Sequence, residues 1–192
     1  VESLLSAALQ STNEPPAAWL QDASLQRVLA LAVLPGRERD AQAAIQQLAG
    51  AAPEQLVAGV DRLSKIGATS PPNLKTVVAR LQLQTIALLD SRRNQLLPAE
   101  RVTLDRVRAE GLLLSGKRDE AVKLYAQLAK DNTDNGPIQE GYGDALLAGT
   151  AARIAAGVRE DDVFARLGGD EFAIFCRGAG EIEAYATASR IA

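Results

Sequence analysis

The sequence contains no histidine, no methionine and one cysteine among its 192 residues. Without histidine there can be no Ser-His-Asp triad and no Cys-His pair, and with one cysteine there is no zinc finger and no disulfide within the chain. A metal would therefore be held mainly by oxygen ligands, the preference of Mg²⁺ or Ca²⁺ rather than zinc or copper. Aromatic residues make up only 4% of the chain, and no apolar run approaches the ~20 residues of a membrane span. The net charge of -3 argues against non-specific binding to nucleic acid or an anionic membrane, which needs a basic surface. A chain that starts at Val1 with no methionine is expected to be a piece of something longer. What remains is 47% hydrophobic and 23% charged, a soluble, globular balance with enough apolar material for a core.

The averages hide an asymmetry. All three phenylalanines, Phe164, Phe172 and Phe175, fall near the C-terminus, whereas residues 1–120 contain one aromatic, Trp19. Residues 1–136 carry 16 basic and 15 acidic side chains, and residues 137–192 carry 5 and 9. Two kinds of structure are therefore expected, 1–136 and 137–192.

The first is helical by its local signs. Ala, Leu, Gln, Arg and Glu dominate, and apolar residues recur at three- and four-residue spacing, as in Leu74, Val77, Val78, Leu81, Ile86, Leu88 and Leu89. Pro71 and Pro72 stand where that run begins, a place where a missing N-H costs little, and similar runs follow Pro53 and Pro98. Breakers at Pro35-Gly36, Gly50 to Pro53 and Ser70 to Pro72 separate the helices, and such short connections make successive helices antiparallel neighbours. Trp19 is expected to anchor the first helix. Within residues 102–136, the stretch from Gly116 through Ala121 and Tyr125 to Asp134 resembles the second helix of a tetratricopeptide repeat. A small Ala121 lets two helices approach, and Tyr125 fills the gap one turn later. A repeat-like scaffold and an ordinary helical bundle both remain open. The fold class expected is mainly α, with an antiparallel, repeat-like helical region joined to a partial α/β domain that contains a β-hairpin.

The hairpin is read from residues 163–176. Two short apolar runs flank Gly168-Gly169, the form of a hairpin with a tight glycine turn. Glycines there can adopt positive φ and bring backbone close to a phosphate. Asp170 and Glu171 follow at once, and strand alternation would send them to opposite sides. Cys176, at the end of the apolar run, reads as packing rather than as a nucleophile, since no histidine is present to activate it.

Arg166-Leu-Gly-Gly-Asp-Glu-Phe172 resembles the signature hairpin of the GGDEF family, the bacterial diguanylate cyclases. The five-letter core would arise by chance on the order of once in ten thousand chains of this length. The resemblance covers about residues 141–192. It implies a cytoplasmic bacterial signalling protein that condenses two GTP into cyclic di-GMP across a homodimer, with Mg²⁺ as cofactor. It further implies that Gly168 and Gly169 admit the phosphates, Asp170 binds metal, Glu171 supports catalysis and Asp144 contacts guanine. Arg159 and Asp162 stand at the position of the family's RxxD motif, an allosteric site for cyclic di-GMP. Arginine suits that role because its planar fork pairs with phosphate or with the acceptor edge of guanine.

The chain also departs from the family. Gln127 falls where the family has a metal-binding Asp. Asn135 falls where it has a guanine-contacting Asn, and Asn135-Gly136 reads instead as a turn signal. The flanking strands are missing, so weak or no activity is expected. The alternatives are a cyclic di-GMP receptor and a helical scaffold that docks a protein partner.

Overall fold

In a computed structural model the chain forms eight helices and one hairpin among the described residues, which are 17–48 and 50–191. In order they are α1 (Ala17–Val33), α2 (Glu38–Leu48), α3 (Pro53–Thr69), α4 (Pro72–Asp90), a 3₁₀ turn (Arg93–Gln95), α5 (Pro98–Leu114), α6 (Arg118–Asp131) and α7 (Gly136–Gly157). The strands β1 (Val163–Gly168) and β2 (Glu171–Phe175) follow, and α8 (Glu181–Ile191) closes the series. The chain divides into two compact units between Leu124 and Tyr125, inside α6 and earlier than the change of composition near residue 136.

Helix starts in the first unit follow the prolines. Pro53, Pro72 and Pro98 each occupy the first turn, where no intrahelical partner is lost. Behind two of them an N3 side chain satisfies the backbone. Gln55 accepts from the Ala52 N-H at 3.2 Å, and Glu100 accepts from the Leu97 N-H at 2.7 Å. Helix α1 packs on α2, α3 on α4, and α4 on α5, while α5 also returns to α3. The core of this unit is aliphatic, with Val28, Leu31, Ile45, Val60, Leu63, Val78, Leu81, Ile86, Leu89, Leu104 and Val107 all but inaccessible. Helices α1 and α3 approach closely because Gly59 carries no side chain; a Cβ there would lie 2.5 Å from Leu25 Cδ1. Trp19 lies on α1, and its side chain is outside those described.

Polar pairs bind the helices at the edge of this core. Arg106 on α5 pairs with Asp61 on α3, and the Ser64 hydroxyl donates to the Glu110 carboxylate. Arg93 Nη1 donates to Asp105 Oδ1 at 2.8 Å. That hydrogen bond, with burial opposing it and the Asp105 and Asp90 charges adding to it, holds the Arg93 guanidinium above its ordinary value. Gln82 on α4 is fully buried, and neither its amide nitrogen nor its amide oxygen meets a hydrogen-bond partner.

The second unit is built differently. Tyr125 is buried against α7, where its ring sits over Gly141; a Cβ on Gly141 would lie 2.6 Å from the Tyr125 hydroxyl. Asn135 caps α7 by accepting from the Ile138 N-H at 3.3 Å. Helix α7 touches both β1 and α8. Past Ala145, Thr187 is the one buried side chain among the described residues.

A buried amide left unpaired costs about 1–3 kcal/mol. Gln82→Met, which keeps length and removes the orphaned groups, should raise the thermal midpoint by about 2–4 °C per kcal/mol relieved. A lower midpoint in scanning calorimetry would show that the amide is satisfied in solution.

Candidate functional site

The glycine hairpin is antiparallel, with Val163 opposite Phe175, Phe164 opposite Ile174, Ala165 opposite Ala173, Arg166 opposite Phe172 and Gly168 opposite Glu171. The register shifts between Arg166 and Gly168, which leaves Leu167 as an extra residue on β1. The loop is therefore Gly169-Asp170, and within it Gly169 alone has positive φ, +49°. Glycine at the first of two loop residues is what a type II′ hairpin turn requires. Gly168 closes the ladder instead of turning the chain.

Asp170 belongs to that loop and not to β2, so strand alternation does not set its direction relative to Glu171. The loop is formed by two residues because the Leu167 bulge pulls Gly168 opposite Glu171. Both carboxylates are exposed.

The two faces of the hairpin differ. Phe164, Phe172 and Ile174 are half-buried on one face, and the two phenyl rings stack with centroids 5.7 Å apart. The other face is also apolar, yet Val163 is 53% and Phe175 66% exposed.

Each end of the hairpin is fastened by a side chain bonded to backbone. At the turn, Arg166 Nε and Nη2 both donate to the Gly169 carbonyl, at 2.9 and 2.7 Å. At the open end, the Arg177 N-H donates to Asp162 Oδ1 at 3.1 Å. The Asp162 N-H in turn donates to the Arg159 carbonyl, so the RxxD residues form one turn, with Arg159 exposed and Asp162 half-buried. The second Asp162 oxygen is buried without a hydrogen-bond partner. Neither fastening was legible beforehand. Arg166 stood in the signature stretch without a role, and the only signal for it was its place two residues before the glycine pair.

The remaining sequence candidates lie on helices. Asp144 is exposed on α7. Gln127 Nε2 donates to Asp131 Oδ2 at 2.6 Å along α6, an ordinary contact between residues four apart. Asn135 is accounted for by its capping bond. Helix α7 runs on through Ala152 and Ile154 to Gly157, and Val158 follows as its extended cap. Cys176 is half-buried just beyond β2.

Among the described residues no group of three His, Cys, Asp or Glu side chains is placed to hold a metal ion. Asp170 and Glu171 are adjacent carboxylates at the turn, and an Mg²⁺ ion there would draw its other oxygens from water and phosphate. No helix among the described residues is long and apolar enough to cross a membrane.

Residues 140–192 match the family model described as "Diguanylate cyclase, GGDEF domain". The match is confined to this segment and is consistent with a partial GGDEF domain there. No curated protein and no solved structure matches the chain. The match begins within α7, so that one helix carries both the Asn135 cap and the start of the GGDEF segment.

With one face uncovered, the hairpin should open more readily than the helical core. In hydrogen exchange by mass spectrometry, residues 163–175 should exchange faster than α3 to α5, and Asp162→Ala should accelerate the amide of Arg177 further. Exchange at Arg177 unchanged by the substitution would mean that the Asp162 bond is not formed.

Proposed function

We propose that the chain joins a helical scaffold, residues 1–136, to a GGDEF segment, residues 137–192, that recognises guanine nucleotides, GTP as substrate and cyclic di-GMP as product or effector. The glycine turn supports this reading most strongly. Its one positive-φ residue, Gly169, lies in the segment that matches the family and leaves room for a phosphate beside the backbone. In this reading Gly168 and Gly169 admit the phosphates, Asp144 on α7 contacts guanine, and Asp170 and Glu171 are the acidic residues closest to the reacting groups. In this reading the helical region docks a protein partner or regulates the segment. Two copies, each holding one GTP, would be needed for condensation.

Mg²⁺, the family's cofactor, would have Asp170 as its ligand here, and with Gln127 where the family has a second metal-binding Asp the ion would have one carboxylate fewer to fix it. Turnover by the chain as it stands is therefore expected to be absent or nearly so. Purified protein incubated with GTP and Mg²⁺ should yield no cyclic di-GMP by chromatography, and clear product would overturn this expectation.

A receptor reading is favoured by one observation, the turn that holds Arg159 and Asp162 together beside the hairpin. Arg159 is exposed, and its planar guanidinium would pair with the phosphates or the guanine edge of an anionic dinucleotide. Calorimetric titration with cyclic di-GMP should give heat that Arg159→Ala removes. Equal affinity in the variant would sink the receptor reading while leaving the GTP reading intact.

A further inference from the structure

The bond between Arg166 and the Gly169 carbonyl has a consequence for the peptide that follows it. A trans peptide is planar, and its C=O and N-H point in opposite directions. Two donors from one rigid guanidinium converge on the Gly169 oxygen, at 2.9 and 2.7 Å. The carbonyl is thereby drawn to the Arg166 side, and the Asp170 N-H of the same peptide is turned away from it. Gly169 permits this orientation because its φ of +49° is one that other residues rarely adopt. Arg166 itself is fixed in register opposite Phe172, on the face where Phe164 and Phe172 stack. The bulge at Leu167 places the loop within reach of the guanidinium.

We propose that Arg166 is a positioning residue: by holding the Gly169 carbonyl it aims the Asp170 N-H outward as the backbone donor that a nucleotide phosphate meets. This rests on the guanine-nucleotide reading above and adds to it a residue that touches the turn and need not touch the substrate. Lysine is a poor replacement because a single ammonium cannot place two donors from a fixed plane on one oxygen. Charge and geometry can therefore be separated.

The test uses the full chain labelled with ¹⁵N, with GTP as the probe, in the wild type, Arg166→Lys and Arg166→Met. In the absence of nucleotide, both variants should shift the amide resonances of Gly169 and Asp170 while the contact between Phe164 and Phe172 persists, showing an intact hairpin. On titration, GTP should perturb the amides of residues 168–171 in the wild type. Arg166→Lys, which keeps the charge, should weaken binding about fivefold, roughly the effect of one hydrogen bond. Turn resonances identical to wild type in both variants would overturn the clamp. Shifted resonances with unchanged GTP affinity in Arg166→Lys would overturn its role in positioning. If the wild type does not respond to GTP at all, the guanine-nucleotide reading fails, and the inference resting on it fails with it.

Discussion

Aliphatic burial among the helices before Leu124 is the interaction on which the rest depends. Val60, Leu63, Val78, Leu81, Leu104 and Val107 come together from α3, α4 and α5, and each buried side chain of this kind contributes about 1.5–3 kcal/mol. Several such terms outweigh one orphaned amide at Gln82, which explains how a fully buried glutamine persists at the centre of α4. The ionic pairs around the core contribute less on this scale. They do fix which helix faces meet, since Asp61 and Arg106, or Ser64 and Glu110, bond only when α3 and α5 are aligned.

Among its described residues the GGDEF segment has no comparable apolar core of its own. Beyond Ala145 its apolar groups remain partly or largely accessible, including Leu146, Val163, Leu167, Phe175, Ile182 and Tyr185. A strand pair that is apolar on both faces is the pattern of a sheet interior, in which helices cover each side. Here one face is half-buried and the other is open. The shape of the hairpin then relies on its ladder, on one aromatic stack and on three hydrogen bonds between side chains and backbone. Net hydrogen-bond contributions of about 0.5–1.5 kcal/mol are small beside core burial, so these bonds select a geometry more than they stabilise the fold.

Much of this was readable from local sequence, for a definite reason. Pro53, Pro72 and Pro98 mark helix starts because the cost of a missing N-H depends only on position within the first turn. The glycine pair marks a hairpin because positive φ is a local property, although only Gly169 uses it. Asn135 was legible as punctuation, and the structure makes it the cap of α7. What stayed hidden depends on register or on distance in sequence. Asp170 lies in the loop and not in a strand because of the bulge at Leu167, which moves the turn and leaves no signature in hydrophobic alternation. Ser64 and Glu110 are 46 residues apart, beyond any periodicity that one helix can display. The division inside α6 is equally invisible, since the helical pattern runs through it without a break.

The same distinction bears on the candidate site. Asp144, Asp170 and Glu171 are residue types that suggest chemistry by themselves, and all three are exposed in the structure. Arg166 and Asp162 differ in that each is tied to a backbone group whose position follows from the fold. A carboxylate on a loop has many orientations, and ordering it on binding costs conformational entropy. A peptide held by a guanidinium has already lost that freedom, so it can offer a directed donor at little further cost. In the proposed reading, a backbone donor fixed in this way is the feature of the hairpin that meets a phosphate. Recognition in that reading draws on a peptide already oriented by the turn, whereas turnover also draws on carboxylates that must be ordered around a metal ion.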